Sequence, residues 1–479
     1  MKETKVYALL SSLTVIELNR FRRFLESPYF NRNEQILALF YALETHIRAE
    51  NEEDLTKEIL WPFIYKEDIY DDRRFRKLCT DLLDLGEEYL AQEAYNENPL
   101  HQANYLLEAV HRKQIERMYN SATSSAKSLS QRQNLKPASY YYYQYEIEKN
   151  LYKLQNIEVN RASKENIQKI NLETIVSNLD YFYISEKLKY YCTLLSWSKI
   201  IALDKNILFI DEIIQIATQD EFKNIPPIAI YLKIYYTNVE FENENHFFDL
   251  KVLISNYIDL FPIEEAKDIM DSAINYSIQK SNKGESKYLV QLFELYKSSI
   301  EKEIIFVNNQ ITPWSFKNIV TAALRLNEFS WVEDFISKYS SRINKSYRHN
   351  AYNYNLANLF FYKKEFSKVI PLLQKVEYDE VYYSLSAKCM LLATYYELDE
   401  YNALSSFGDS FKLYIGRNKN VAESKKVFYL NLIKFTKKLY DAKLSDNTYL
   451  LKLKSDITKA NDVFSKEWLL EKVEELITN

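Results

Sequence analysis

Apolar residues recur at intervals of three and four along almost the whole chain, and strict apolar–polar alternation is rare. That period predicts amphipathic helices, each turning one stripe toward a core. Leu9, Leu10 and Leu13 close a first short helix. Thr14 and Glu17 then have the Thr-x-x-Glu spacing of a capping box, in which each side chain satisfies the other residue's free backbone amide. Ile16, Leu18, Phe21, Phe24 and Leu25 form one apolar face of the helix it opens. Ser27-Pro28 ends that helix, because the residue before proline is pushed out of the α region. Asn33 caps the next, which carries Ile36, Leu37, Leu39, Phe40 and Leu43. Asp71 or Asp72 opens a longer one through Phe75, Leu78, Cys79, Leu82, Leu83, Leu85 and Leu90.

A further helical pair follows Pro99 and degrades into Ser121-Ala122-Thr123-Ser124-Ser125, a stretch that reads as a loop running to Pro137. Eleven of the sixteen arginines lie at or before Arg132, and lysine carries most of the positive charge afterwards. These shifts suggest a boundary near residue 135. Three regions are expected: an N-terminal helical domain (1–135), a helical-hairpin region of possibly divergent repeats (136–305), and a repeat region with C-terminal capping helices (306–479). Tyr140 to Tyr143 cover every face of a helical turn, which suits an element wedged between two neighbours. Pro226-Pro227, Pro262 and Pro313 precede apolar-periodic segments, where proline fits the first turn of a helix.

The last third repeats itself at roughly 35 to 37 residues, a period of helical hairpins. Ile319-Val320, Ala323, Asn327, Phe329, Val332 and Ile336 match Leu356-Ala357, Phe360, Lys364, Phe366, Val369 and Leu373. Leu391-Leu392, Tyr395, Asp399, Tyr401 and Leu404 form a third copy. The aromatic anchors Phe329, Phe366 and Tyr401 are 37 and 35 residues apart. This pattern resembles the tetratricopeptide repeat (TPR), over about residues 310 to 415. It departs from that family where a small residue is usual (Val320, Ala357, Leu392) and at the turn glycine (Asn327, Lys364, Asp399). A lone hairpin cannot hide its apolar face, so neighbours must stack. The expected fold is all-α, with antiparallel hairpins stacked as a TPR-like α-solenoid behind an N-terminal helical domain.

The resemblance implies a concave groove that holds a peptide or partner segment. The positions matching groove-lining sites are Trp314, Lys317, Thr321, Arg325, Tyr354, Asn358, Phe361, Tyr362, Ala393, Tyr396 and Glu397. Some members of the family clamp a C-terminal carboxylate with Lys and Asn on successive helices, a pattern that Lys317 and Asn358 match in part. Near the N-terminus, Glu17, Phe21, Phe24-Leu25 and Ser27-Pro28-Tyr29-Phe30-Asn31 resemble uncharacterised bacterial helical proteins of similar length, which implies no activity.

Composition narrows the chemistry. Only 4 Gly and 9 Pro occur in 479 residues, where average usage gives about 33 and about 24. Turn-rich β folds and glycine loops that cradle phosphates are disfavoured accordingly. Gly86, Gly284, Gly408 and Gly416 are too far apart to build GxGxxG, GxxxxGK[ST] or GxSxG. The five histidines (His46, His101, His111, His246, His349) form no HExxH. Glu108 and His111 give one Glu-x-x-His, half of what a carboxylate-bridged di-iron bundle uses. No catalytic residue, cofactor or metal is expected. Cys79, Cys192 and Cys389 are widely separated, as in a reducing compartment. No apolar run reaches the length of a bilayer span, so a soluble cytoplasmic protein with no membrane partner is expected.

The 41 tyrosines read as large core and boundary residues. Two basic clusters stand out. Arg20, Arg22, Arg23, Arg73, Arg74 and Arg76 lie in the N-terminal region, and residues 409–443 carry nine basic against three acidic side chains, an excess of +6. The expected function is a non-enzymatic scaffold or adaptor for a protein or peptide. The alternative is a regulator or nucleic-acid adaptor using the Arg-rich helices or the basic segment.

Overall fold

A computed structural model describes residues 1–49, 55–65, 69–154, 171–198, 207–376, 381–419 and 421–478. The described residues are helical throughout, with one isolated antiparallel bridge between Val307 and Gln310 and no strand. Two compact units divide the chain, Met1–Glu186 and Lys187–Asn479.

The first unit holds α1 (Lys5–Ser12), α2 (Val15–Glu26), α3 (Glu34–Arg48), α4 (Lys57–Tyr65), α5 (Asp72–Asn96), α6 (Pro99–Arg112), α7 (Glu116–Gln131), α8 (Ala138–Leu154) and the start of α9 (Leu172–Ser198). The capping box forms as expected: the Thr14 amide donates to Glu17 Oε2 at 2.7 Å, and the Glu17 amide donates to Thr14 Oγ1 at 3.3 Å. Asn33 and Asp71 cap α3 and α5. Leu10, Phe21, Leu25, Leu39, Phe40, Leu43 and Phe75 are fully buried together. At about 1.5–3 kcal/mol per large apolar side chain, this cluster holds α1 to α5 in place. Two residues expected on buried faces are not there. Ile16 is 66% exposed and Leu90 45%, because the stripes of α2 and α5 are narrower than their apolar content.

The serine-rich stretch is helix, not loop. It forms the middle of α7, where Ala122 and Ala126 pack with Leu107 of α6 and Ile147 and Leu151 of α8. Small side chains here let neighbouring helices approach closely, which a periodicity search for large apolar residues overlooks. Residues 132–137 form the connection that follows, inside the first unit. α8 is wedged as its tyrosines suggested. The Tyr141 ring meets Tyr181 and the Tyr142 ring meets Phe182 on one side, while Tyr143 meets His101 on the other.

The second unit continues with α10 (Ile210–Ala217), α11 (Pro226–Val239), α12 (Glu244–Tyr257), α13 (Ile263–Asn282), α14 (Lys287–Glu301), α15 (Pro313–Arg325), α16 (Phe329–Tyr339), α17 (Lys345–Tyr362), α18 (Phe366–Leu373), α19 (Val381–Glu397), α20 (Tyr401–Arg417), α21 (Glu423–Asp441), α22 (Asn447–Lys459) and α23 (Lys466–Thr478). From α11 onward successive helices pair, α11 with α12 through to α21 with α22. The leading helices also meet across hairpins: α11 with α13, α15 with α17, α17 with α19, α19 with α21, and α21 with α23.

Burial follows the sequence repeat. Val320, Ala357 and Leu392 are each 0% exposed, and Val332, Val369 and Leu404 at most 1%. The aromatic anchors are less central than expected. Tyr401 is 49% exposed, so the aliphatic residue three positions on is the packing pivot.

Asn327, Lys364 and Asp399, where a glycine is usual, all have left-handed backbone, with φ of 60°, 60° and 59°. Each closes its helix in the same way. The amides of Glu328, Glu365 and Glu400 donate to the carbonyls of Ala323, Phe360 and Tyr395, and each left-handed residue's own amide donates three residues back. This is the Schellman turn, and it satisfies carbonyls that a helix end leaves open. Gly284 makes the same turn between α13 and α14 at φ 94°, with the Glu285 amide donating to Lys280. That hairpin therefore shares the turn of the three copies seen in sequence.

A side chain in the left-handed region costs about 1–2 kcal/mol that glycine avoids. Lys364→Gly is expected to raise stability by about 0.5–1 kcal/mol, because the weak exposed contacts of Lys364 with Glu471 and Glu475, at 3.8 and 3.9 Å, contribute little. Lys364→Val should lower it by at least about 1 kcal/mol. Urea melts of the two variants check the sign, and equal midpoints would refute the strain argument.

Candidate functional site

The residues expected to line a groove fall on α15, α17 and α19, and the structure separates them into two groups. Trp314, Lys317, Tyr354 and Asn358 belong to one. Arg325, Tyr362, Tyr396 and Glu397 belong to the other. Phe361 serves the hairpin interior, set edge-on to Phe366 at 5.5 Å. Thr321 donates its hydroxyl to the Lys317 carbonyl, and Ala393 is buried.

The second group is covered by α23, the chain's own last helix. Arg325 reaches Glu467 at 3.3 Å. The Trp468 indole N–H donates to Glu397 Oε1 at 2.8 Å, and Lys472 lies 3.0 Å from the same oxygen. Tyr396 is 5% exposed, its ring edge-on to Trp468 at 5.5 Å. Leu469 and Val473 of α23 are fully buried in a core shared with α19 to α22. Sequence reasoning placed Tyr396 and Arg325 in an open groove. It had no signal for where residues 466–478 would pack, since that seat is created by three hairpins together.

In the first group, Trp314 and Tyr354 stand around the Lys317 ammonium. Lys317 Nζ donates to Ser386 Oγ at 2.6 Å. Ring centres of Trp314, Tyr354 and Tyr383 lie 5.5, 5.1 and 5.3 Å from it. Tyr383 donates its hydroxyl to the Pro313 carbonyl at 2.6 Å, which pins α19 to the start of α15. Ring faces attract a cation, by about 0.5–2 kcal/mol each when desolvated. Lys317 makes no ion pair among the described residues, and desolvation lowers its pKa to about 8. Asn358 lies one turn along α17 from Tyr354. It is 6% exposed, and its amide makes no hydrogen bond among the described residues. Trp314 is 54% exposed beside them. Tyr383 and Ser386 were absent from the sequence-based set. Their signal was available, since Tyr383 and Ser386 lie on the leading helix of the third repeat copy, about two turns and one turn before Leu391.

Two other lysines show what carboxylates do. Lys280 and Lys472 are more buried, with side chains 3% and 5% exposed. Burial alone would lower both. Glu242 and Glu285 instead raise Lys280 to about 12, and Glu475 and Glu397 raise Lys472. Lys317 has no such partner among the described residues. The cluster has the makings of an anion-accepting, aromatic-walled recess.

No protein-family model, curated protein or solved structure matches the chain. Its chemistry therefore has to be read from its own residues.

The basic clusters are partly neutralised within the fold. Arg22 donates to both oxygens of the buried Glu44 at 2.7 Å, and Arg48 joins it. Arg20 pairs with Glu93, Arg76 with Asp72, and Arg74 lies 4.0 Å over the Tyr65 ring. In the 409–443 segment, Lys437 pairs with Asp409, Lys443 with Asp399 and Lys426 with Glu423. Glu108 and His111 gain no third ligand: no cluster of three metal-ligating side chains occurs among the described residues. No helix among them is long and apolar enough to cross a membrane.

Proposed function

We propose that Lys187–Asn479 is a TPR-like α-solenoid that acts as a non-enzymatic scaffold, holding a segment of a partner protein against α15, α17 and α19. The observation that carries this reading is Lys317, a desolvated cation walled by the rings of Trp314, Tyr354 and Tyr383 with no carboxylate beside it among the described residues. Asn358, one turn along α17 from Tyr354, makes no hydrogen bond among those residues, and its amide is not sealed from solvent. A cation held out of water gains from an anionic partner. A peptide carboxylate supplies both missing partners, and the rings of Trp314 and Tyr354 flank its apolar side chains. With α23 seated over Arg325, Tyr362 and Tyr396, the segment is confined to the end marked by Trp314 and Tyr354.

A library of labelled peptides, each made with a free and an amidated C-terminus, tests the reading by fluorescence anisotropy. Binders should favour the free carboxylate by at least about tenfold, the value of one charged hydrogen bond. Lys317→Met and Asn358→Ala should each remove that preference. A set of binders indifferent to amidation, or unaffected by both substitutions, would overturn the clamp.

A further inference from the structure

Lys317 invites a second question, because its amine sits in an aromatic recess and makes no ion pair among the described residues. We propose that Lys317 is a nucleophilic amine that captures an aldehyde with a flat aromatic body as an imine. Three features of its surroundings support this. The first is electrostatic. The groups facing Nζ are the Ser386 hydroxyl, the rings of Trp314, Tyr354 and Tyr383, and the Cys389 thiol. Burial pushes the Tyr354 hydroxyl and the Cys389 thiol upward, so both are neutral near pH 7. Nothing anionic among the described residues therefore holds the proton on the amine. Desolvation has the opposite effect and releases it, as for lysines that attack carbonyl groups.

The second feature is position. Ser386 accepts a hydrogen bond from Nζ, which fixes the nitrogen against the α19 wall, and Ser386 is itself hydrogen-bonded to Tyr354. The third is shape. Lys317 is partly exposed, and the Trp314 indole beside it is more than half exposed, offering a face on which a planar ring can stack.

In the capture step the nitrogen lone pair forms a bond to the carbonyl carbon, and the carbonyl π pair moves to oxygen. The proton lost from nitrogen goes to that oxygen through the Ser386 hydroxyl. The resulting carbinolamine then expels water, leaving a C=N bond. No oxidant or reductant is consumed. The capture does not depend on a partner peptide, so it stands or falls separately from the scaffold reading.

The experiment uses full-length protein, benzaldehyde and cyanoborohydride, which traps any imine as a benzylamine, with peptide mapping by mass spectrometry. At pH 7.5 a lysine with a pKa near 8 holds on the order of a hundredfold more free amine than an ordinary one, a gain partly offset by lower basicity. Lys317 should therefore be benzylated at least about ten times faster than exposed lysines such as Lys2 and Lys113. Its rate should rise with a midpoint near pH 8. Trp314→Ala should slow benzaldehyde several-fold while leaving formaldehyde at the same site little changed. The Met1 α-amine, the other kind of primary amine in the chain, maps to a different peptide. The wild-type map alone decides the matter, so a misfolded variant would not rescue the idea. Labelling of Lys317 no faster than that of exposed lysines, or a midpoint above pH 10, would overturn it.

Discussion

Raising the pH from 10 to 11 is expected to unfold the Lys187–Asn479 unit abruptly. Tyr231, Tyr288, Tyr296, Tyr354 and Tyr396 are each at most 5% exposed, and burial raises the pKa of every one far beyond the ordinary value of 10. Above pH 10 the unfolded chain releases these protons and the native chain keeps them. The native state then binds more protons than the unfolded state, so stability falls as pH rises. Each such group removes about 1.4 kcal/mol per pH unit, and five together withdraw most of a typical 5–15 kcal/mol within one to two units. Lys317 works in the opposite sense between about pH 8 and 10.5, where the native state has lost a proton that the unfolded state retains. Stability should thus hold or rise slightly to pH 10 and then collapse. Tyrosinate absorbance near 295 nm and far-ultraviolet circular dichroism should change together. Gradual tyrosine ionisation with helix content intact at pH 11.5 would contradict the burial argument.

Glu397→Ala should release the C-terminal helix, at a cost of about 2–4 kcal/mol. Glu397 accepts from the Trp468 indole and pairs with Lys472, whose side chain is 5% exposed. Without that carboxylate, a buried ammonium keeps Glu475 at 2.9 Å and the more distant Glu471 at 3.9 Å, both on its own helix and about half exposed. Glu397→Gln keeps an oxygen for Trp468 but not the charge, so it should cost about half as much. Urea denaturation measures the loss, and limited proteolysis should cut within 460–478 far sooner in the alanine variant. A wild-type digestion pattern would mean that the apolar seat of Leu469 and Val473 suffices, and that the polar contacts only decorate it.

Much of the architecture is local in origin, and to that extent it was readable from sequence. The capping box at Thr14 and Glu17 and the helix stop at Ser27-Pro28 depend on neighbours within four residues. So do the turn positions Asn327, Lys364 and Asp399, whose shared left-handed backbone agrees with their alignment. Errors arose where burial depended on distant partners. Ile16 is apolar yet exposed, and the serine-rich stretch around Ser124 is helical because Leu107 and Ile147 accept its alanines. The candidate site divides along the same line. Trp314, Lys317, Tyr354 and Asn358 were named from their register within a repeat. Register could not disclose that α23 would cover Tyr396.

The sequence by itself determined an all-helical chain, the ends of many of its helices, and a hairpin repeat of 35 to 37 residues, because hydrophobic period, caps and turns act over a few residues. Only the tertiary structure decided which repeat faces α23 covers and that Lys317 meets aromatic rings and a serine in place of a carboxylate. Those outcomes depend on side chains brought together from as far apart as Lys317 and Ser386, or Arg325 and Glu467. The energy of a buried charge is set by all of its neighbours at once, and no short stretch of sequence contains them.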